Sequence, residues 1–358
     1  MLLFFSLSKK RAKLQFFLIQ SPICQIFFEK GLSLQKIHRH SIHIMRKHLL
    51  LPCSILFFIL TAPLSLCRAQ SDADQQWSLR AQEITRNATS QYDKAKAIFD
   101  WIAHNIAYDV TFTIRDAEQA WKLRKGVCAG YSKMFVQLAT HCGLEAEVIS
   151  GQSRTILYPN GDGEHAWVKV KTEKGWILVD PTWGAGNVTN GRFEFVYKPY
   201  WFDVDPWWMF FTHYPETLND QMLPMPLARE VYNKLPELTP NMAWWGWDGE
   251  QTLKYYYSQN TTPPKTFSLH DEWMQSLQVD AVPYYGELKA NYKYLFKMHS
   301  NDGQFTFGIT GTAQKDIFGD LSTGAEIIPK SKGTLTISIY EKNTNRIYDV
   351  LMYQVVDK

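Results

Sequence analysis

Cysteine is scarce. The 358-residue chain holds five, and Cys24, Cys53 and Cys67 fall within the first 70 residues, which leaves Cys128 and Cys142 for the body of the chain. These two bracket what reads as a single helix. At about 1.5 Å per residue they stand roughly 21 Å apart, whereas a disulfide needs Cα atoms within about 7 Å. A small disulfide-stapled domain is therefore excluded. No C-x-x-C or H-x-x-x-H pair is present to hold zinc. The phosphate-cradling P-loop and the dinucleotide fingerprint are missing too. No internal repeat or low-complexity run interrupts the chain. Nor is there a basic surplus in the body. Ten of the 38 Lys and Arg, but only Glu29 of the 35 acids, precede residue 71, leaving 28 basic against 34 acidic side chains, a net of −6. A nucleic-acid partner has no electrostatic footprint here.

What is there begins with a leader. Met45–Gln70 has a charged start, an apolar run from Leu49 to Leu66, and Cys67 and Ala69 at the −3 and −1 positions of a cut before Gln70. A signal peptide over Met45–Ala69 is expected, with the true start at Met45 and a secreted, periplasmic or cell-surface location. A membrane anchor and a lipid-bearing Cys67 are the alternatives. Three N-x-[ST] sequons stand at Asn87, Asn187 and Asn260.

Downstream, "YDKAKAIFDWIAHNIAYD" puts Ala95, Ile98, Phe99, Ile102 and Ile106 on one helical stripe. A second helix starts at Cys128, turns Tyr131, Met134, Phe135, Leu138 and Cys142 inward, and stops at Gly143. The period then changes to two. "LEAEVISG", "EHAWVKVKT" and "GWILVDPTW" read as strands, the last two joined by the tight turn "TEKG", and a further hairpin is expected around Asn190–Gly191. Helices followed by antiparallel strands predict an α+β domain. From about Thr266 the chain reads as short strands suited to a β-sandwich. The domain reading is a leader over 1–70, a catalytic domain over 71–235, a linker over 236–265 and a β-sandwich over 266–358.

A nucleophile is also legible. Cys128 follows Gly126–Val127 at a helix start, where free N–H groups and the positive end of the helix dipole favour a thiolate. The same N–H groups suit an oxyanion. His165 opens the strand "HAWVKVK", and counting outward from the Thr172–Lys174 turn brings Asp180 of the next strand opposite it or within a residue or two. A base oriented by an acid is what a cysteine nucleophile requires. His141 lies along the Cys128 helix, about 20 Å from the thiol, so it is excluded as the base. Cys142 is expected to pack in the core. Trp167, Trp183 and Tyr131 are the expected walls of the substrate cleft. Trp201, Trp207, Trp208, Trp244, Trp245 and Trp247 either pack a seam between domains or line a groove, and packing is the preferred reading.

"GVCAGYSKMFVQLATHCGLEAEVISG" and "EHAWVKVKTEKGWILVDPTWGAG" together resemble the transglutaminase-like cysteine enzymes, a superfamily distantly similar to papain-type proteases. The resemblance covers roughly residues 85–190. "DPTWGAG" with "KPYWFDVDPWWMFFTHYPE", which contains "HYP" at His213–Pro215, is similar to the kyphoscoliosis-peptidase-like branch, where an immunoglobulin-like β domain can follow the core. The resemblance implies a Cys128–His165–Asp180 triad, acyl transfer or hydrolysis at amide bonds of a protein or peptide, and no cofactor or metal. Both a cysteine protease or amidase and a cross-linking acyltransferase fit it, and hydrolysis is preferred. The competing expectations are an inactive domain serving as a binding module, and a β-sandwich that binds a cell-surface polymer.

Overall fold

A computed structural model describes residues 72–154, 163–236, 238, 241–259, 261–267, 276–312 and 315–357. The expected leader and the Asn260 sequon lie outside the described residues. Among those described, no helix is long and apolar enough to cross a membrane.

A first helix, α1, covers residues 72–84. α2 (Gln91–Asn105) starts in a capping box, the Ser90 side chain accepting from the Asp93 N–H while the Asp93 carboxylate accepts from the Ser90 N–H. Its expected stripe is fully buried. β1 (Ala107–Tyr108) leads to α3 (Ala117–Leu123), capped by Asp116, and β2 (Lys125–Gly126) pairs with β1 in parallel. α4 (Cys128–His141) follows at once and is stopped by Gly143 at φ +86°.

β3 (Ala146–Ser153), β4 (Gly163–Thr172) and β5 (Gly175–Val179) form an antiparallel meander. Asp180 then caps α5 (Pro181–Ala185). β6 (Gly186–Thr189) and β7 (Arg192–Phe195) make the hairpin expected at Asn190–Gly191, whose two turn residues take φ of +53° and +72°. β8 (Phe202–Val204) and β9 (His213–Pro215) complete a five-stranded antiparallel sheet in the order β8-β5-β4-β3-β9. α2 and α4 pack on this sheet around Phe99, Ile102, Phe135, Leu138, Val168 and Val170.

The β-rich remainder has two sheets among the described residues. One joins β10 (Lys265–Thr266), β12 (Glu287–Lys289), β14 (Phe305–Gly311), β15 (Ile317–Gly319), β17 (Gly333–Glu341) and β18 (Arg346–Val356). The other joins β11 (Leu277–Ala281), β13 (Tyr294–Ser300) and β16 (Leu321–Ile327). They share an apolar core that includes Phe296, Phe307, Ile337 and Tyr353. The architecture is α+β with a β-rich C-terminal part.

The stretch 236–265 is not the expected tether. It contains α6 (Gly249–Gln259), with Thr252, Leu253 and Tyr256 buried. The Trp245 side chain is fully buried, and its carbonyl accepts from the Val279 N–H at 2.8 Å and from Gln278 at 3.0 Å. Nor does the core divide at residue 235, since Trp208, Phe210, Phe211 and Tyr232 belong to the same cluster as the β-rich strands. Burial of the large aromatic area of this region, worth about 25 cal/mol per Å², binds it to the sheets instead.

Candidate active site

Cys128 opens α4 from an extended Val127 that offers no side-chain cap. The positive end of the helix dipole therefore lies at the thiol. The glycines beside it serve packing rather than access. A Cβ on Gly126 would meet Ala120 Cβ at 3.1 Å, and one on Gly130 would meet the Ile114 carbonyl at 3.1 Å. That carbonyl also accepts the Val127 N–H at 2.9 Å. The loop that supplies it is knotted by Asp109. One carboxylate oxygen takes the Thr111 N–H and hydroxyl at 3.2 and 2.6 Å; the other takes the Thr113 N–H and hydroxyl and the Ile114 N–H at 2.9, 3.0 and 2.9 Å. Asp109 escaped the sequence reading, although an Asp followed by Thr at the second and fourth positions is a signal of such turns.

The hairpin register brings the other groups in. Thr172 pairs with Gly175, and Val168 with Val179, so Asp180 follows the last ladder pair at the position opposite Trp167, two residues along β4 from His165. His165 Nε2 lies 2.7 Å from Asp180 Oδ2. The other ring nitrogen is Nδ1, and the ring and the Cys128 thiol each bias the other's charge. Asp180 is immobilised from its other side as the cap of α5, with Oδ1 accepting the Thr182 and Trp183 N–H groups at 2.9 and 3.0 Å.

Charge follows geometry. Burial pushes the Cys128 thiol up, but its bond to His165, the charge of that ring and the Ala166 N–H outweigh burial and bring it below the ordinary thiol range. Burial also disfavours the His165 cation, yet Asp180 and then Cys128 raise the ring to about 10. Burial alone would raise Asp180, and the two histidines bonded to it hold it well below the usual carboxylate range instead. These directions favour a thiolate–imidazolium pair at neutral pH. Cys142 shifts the opposite way, since burial raises it, and its Sγ donates to the Ala139 carbonyl at 3.3 Å. Both described cysteines are free.

The second histidine on Asp180 is His213 of β9, with Nε2 3.1 Å from Oδ2. No role was assigned to it from sequence, because a three-residue strand carries no readable period. Desolvation pushes it down to about 4, against the pull of Asp180, so it is neutral at pH 7. His165, Asp180 and His213 each offer a metal-ligating atom, all within 4.8 Å of one another. Both Nε2 atoms already satisfy Asp180 as N–H donors, and hydrogen bonding accounts for the whole cluster.

Two expected cleft walls lie elsewhere. Tyr131 is fully buried and its hydroxyl donates to the Ile106 carbonyl. Trp167 is 1% exposed, because Met209, Phe210, His213 and Pro215 cover its face of β4. Trp183 remains half-buried over the pair, 5.6 Å from the His165 ring and 4.7 Å from Trp201.

Residues 79–181 match the family model described as the Transglutaminase-like superfamily. The chain is 32% identical over 167 residues to the Kyphoscoliosis peptidase of Mus musculus, covering 43% of this chain and 25% of that protein. It is 25% identical over 175 residues to the Lim and transglutaminase domain protein ltd-1 of Caenorhabditis elegans, covering 43% and 24%. The chain thus spans about a quarter of the length of these curated relatives. Among solved structures, it is similar to one titled as a candidate cysteine protease from Cytophaga hutchinsonii, with 23% identity, 30% of this chain and 37% of that chain covered, and a TM-score of 0.28.

Proposed function

The chain carries a transglutaminase-like domain over residues 79–181, and from that premise we propose that it is a cysteine enzyme acting by acyl transfer at amide bonds of a protein or peptide, with hydrolysis as the outcome. The observation that supports this reading is the buried His165 Nε2–Asp180 Oδ2 pair at 2.7 Å, whose charged ring draws the Cys128 thiol below its ordinary range. The Cys128 thiolate attacks the amide carbonyl carbon, and the first-turn N–H groups of α4 receive the oxyanion. A C–S bond forms, the C–N bond breaks, and His165 gives its proton to the departing nitrogen. Water then attacks the thioester, His165 takes the water's proton, and the C–S bond breaks to return the thiolate. An amine in place of water would yield a cross-link from the same site. Asp180 keeps His165 oriented and stabilises its cation. Export through the Met45–Ala69 leader belongs to the same proposal.

The test is alkylation by iodoacetamide across pH. Cys128 is expected to react well below the ordinary thiol pKa of about 8.5, and Cys142 only on unfolding. In parallel, peptides and proteins carrying glutamine are incubated with wild type and Cys128→Ala and read by mass spectrometry for cleavage, deamidation and amine incorporation. Equal reactivity of the two thiols, or identical products from both proteins, would refute the reading.

A further inference from the structure

Asp180 Oδ2 receives two imidazole nitrogens, His165 Nε2 at 2.7 Å and His213 Nε2 at 3.1 Å. A carboxylate has no proton to give, so both nitrogens must be donors. For His213 that leaves two states. Either the ring is a cation with both nitrogens protonated, or it is neutral and Nδ1 is an acceptor. A cation would place two imidazoliums, with ring centroids 5.2 Å apart, against one carboxylate in a site where His213 is 1% exposed. Burial of an extra unpaired charge is prohibitive. The neutral state needs a donor at Nδ1, and Thr212 Oγ1 lies 2.8 Å away. The hydroxyl therefore turns from the Met209 carbonyl, 3.2 Å distant, toward the ring.

The ring cannot drift from this place. Trp183, Trp167 and Trp201 surround it at centroid distances of 4.6, 5.0 and 5.5 Å. β9 is held on β3 by the pairing of Ser153 with His213. Phe210 and Phe211, just before it, are anchored in the core of the β-rich part. His213 also lies beyond the matched span 79–181, so the group that completes the site comes from the segment shared with the second core.

We propose that His213 is a positioning residue, a neutral imidazole whose Nε2–H holds the Asp180 carboxylate in line with His165, with the Thr212 hydroxyl deciding which ring nitrogen carries the proton. It touches no reacting atom. It acts through Asp180 on the His165 cation and thence on the Cys128 thiolate. The titratable groups facing this series are Cys128 and Tyr131 of α4, His165 of β4, Asp180, and His213 itself. Burial drives Tyr131 far above its ordinary range, which leaves the thiol and the two rings to shape the profile.

The proposal rests on the thiolate reading above, and its test keeps the two separable. The full chain is alkylated with iodoacetamide from pH 4 to 10, as wild type, His213→Phe, His213→Gln and Thr212→Val, with protection of Cys142 reporting the fold. Without the second donor, Asp180 supports the cation less well. The acid limb of Cys128 alkylation is then expected to move up by about one pH unit in His213→Phe, a tenfold slower reaction at pH 6, equivalent to ~1.4 kcal/mol. His213→Gln, whose amide N–H reaches the position of Nε2, should stay within about twofold of wild type. Thr212→Val should fall between them. A limb that stays or moves down in His213→Phe overturns the proposal, as does a glutamine variant as impaired as the phenylalanine one. Should His213→Phe expose Cys142, Thr212→Val decides, and an unmoved limb there overturns it. A wild type with no low-pH reactivity refutes the enzyme reading itself.

Discussion

Asp180→Asn separates the electrical role of this residue from its structural one. The carboxylate accepts four hydrogen bonds, two backbone N–H groups on Oδ1 and two imidazole nitrogens on Oδ2. Asparagine caps helices as well as aspartate does, so its oxygen keeps Thr182 and Trp183 and α5 stays formed. Its amide nitrogen, however, faces two N–H donors. His165 escapes the clash only by moving its proton to the nitrogen beside Cys128, which leaves that ring nitrogen unable to accept the thiol proton. The thiolate–imidazolium pair is lost and Cys128 reverts to an ordinary thiol or a weaker acid. A thiol with a pKa of about 8.5 is only ~0.3% ionised at pH 6. Alkylation at pH 6 should therefore fall to the rate of an ordinary thiol, about tenfold, or ~1.36 kcal/mol, for each unit by which the wild-type thiol lies below that value. Stopped-flow or quench alkylation with peptide mapping reads the rate, and Cys142 protection confirms the fold. An Asp180→Asn protein that keeps wild-type reactivity at pH 6 refutes the argument that Asp180 sustains the pair.

Three further outcomes are expected. Gly151→Ala sets a Cβ 2.3 Å from the Tyr214 carbonyl, 2.6 Å from Trp167 Cη2 and 2.8 Å from Pro215 Cα. β9 must move off β3, at a cost of about 1–3 kcal/mol or more, so the melting temperature should drop and the alkylation limb should rise with it; an unchanged melting temperature contradicts the close approach. Asp109→Asn keeps its oxygen on the Thr113 and Ile114 N–H groups only by turning its NH2 toward the Thr111 N–H, a donor–donor contact, while the Thr111 hydroxyl can rotate to accept. At about 1.5 kcal/mol for a lost bond to a charged group, hydrogen exchange of residues 109–114 should accelerate about tenfold, with Cys128 reactivity disturbed in step. Finally, His213 has its folded pKa depressed to about 4 against about 6.5 unfolded. The unfolded chain binds more protons between these values, so the stability contributed by the neutral ring is present above pH 6.5 and lost as pH falls toward 4. Wild type should lose up to ~1.4 kcal/mol per pH unit there relative to His213→Gln, measured by denaturant melts, and parallel curves for the two proteins would contradict a neutral His213.

Cys128, His165 and Asp180, the proposed nucleophile, base and acid, were readable because their signals are local. Gly126 before a helix start marks Cys128, and the Thr172–Gly175 turn sets a register that brings Asp180 within two residues of the position opposite His165. The stripe on α2, the stop at Gly143 and the Asn190–Gly191 hairpin are equally local, fixed by side-chain period and by which residues tolerate positive φ. What the tertiary structure decided depends on neighbours distant along the chain. A strand period says which side chains share a face, but not what covers that face, so Trp167 passed for a cleft wall until residues 206–221 closed over it. Tyr131 likewise faces inward by period, and only packing shows that its hydroxyl ends on the Ile106 carbonyl rather than in a cleft. The expected linker over 236–265 belongs to one continuous core, because aromatics in and before it join through Trp208 and Trp245 to the β-rich sheets. His213 reaches Asp180 because β9 adds to β3 across a sheet whose order is not the chain order, and because Gly151 leaves room for that approach. No local pattern encodes such a meeting. Local chemistry placed the sulfur, and long-range packing determined what holds the acid that governs it.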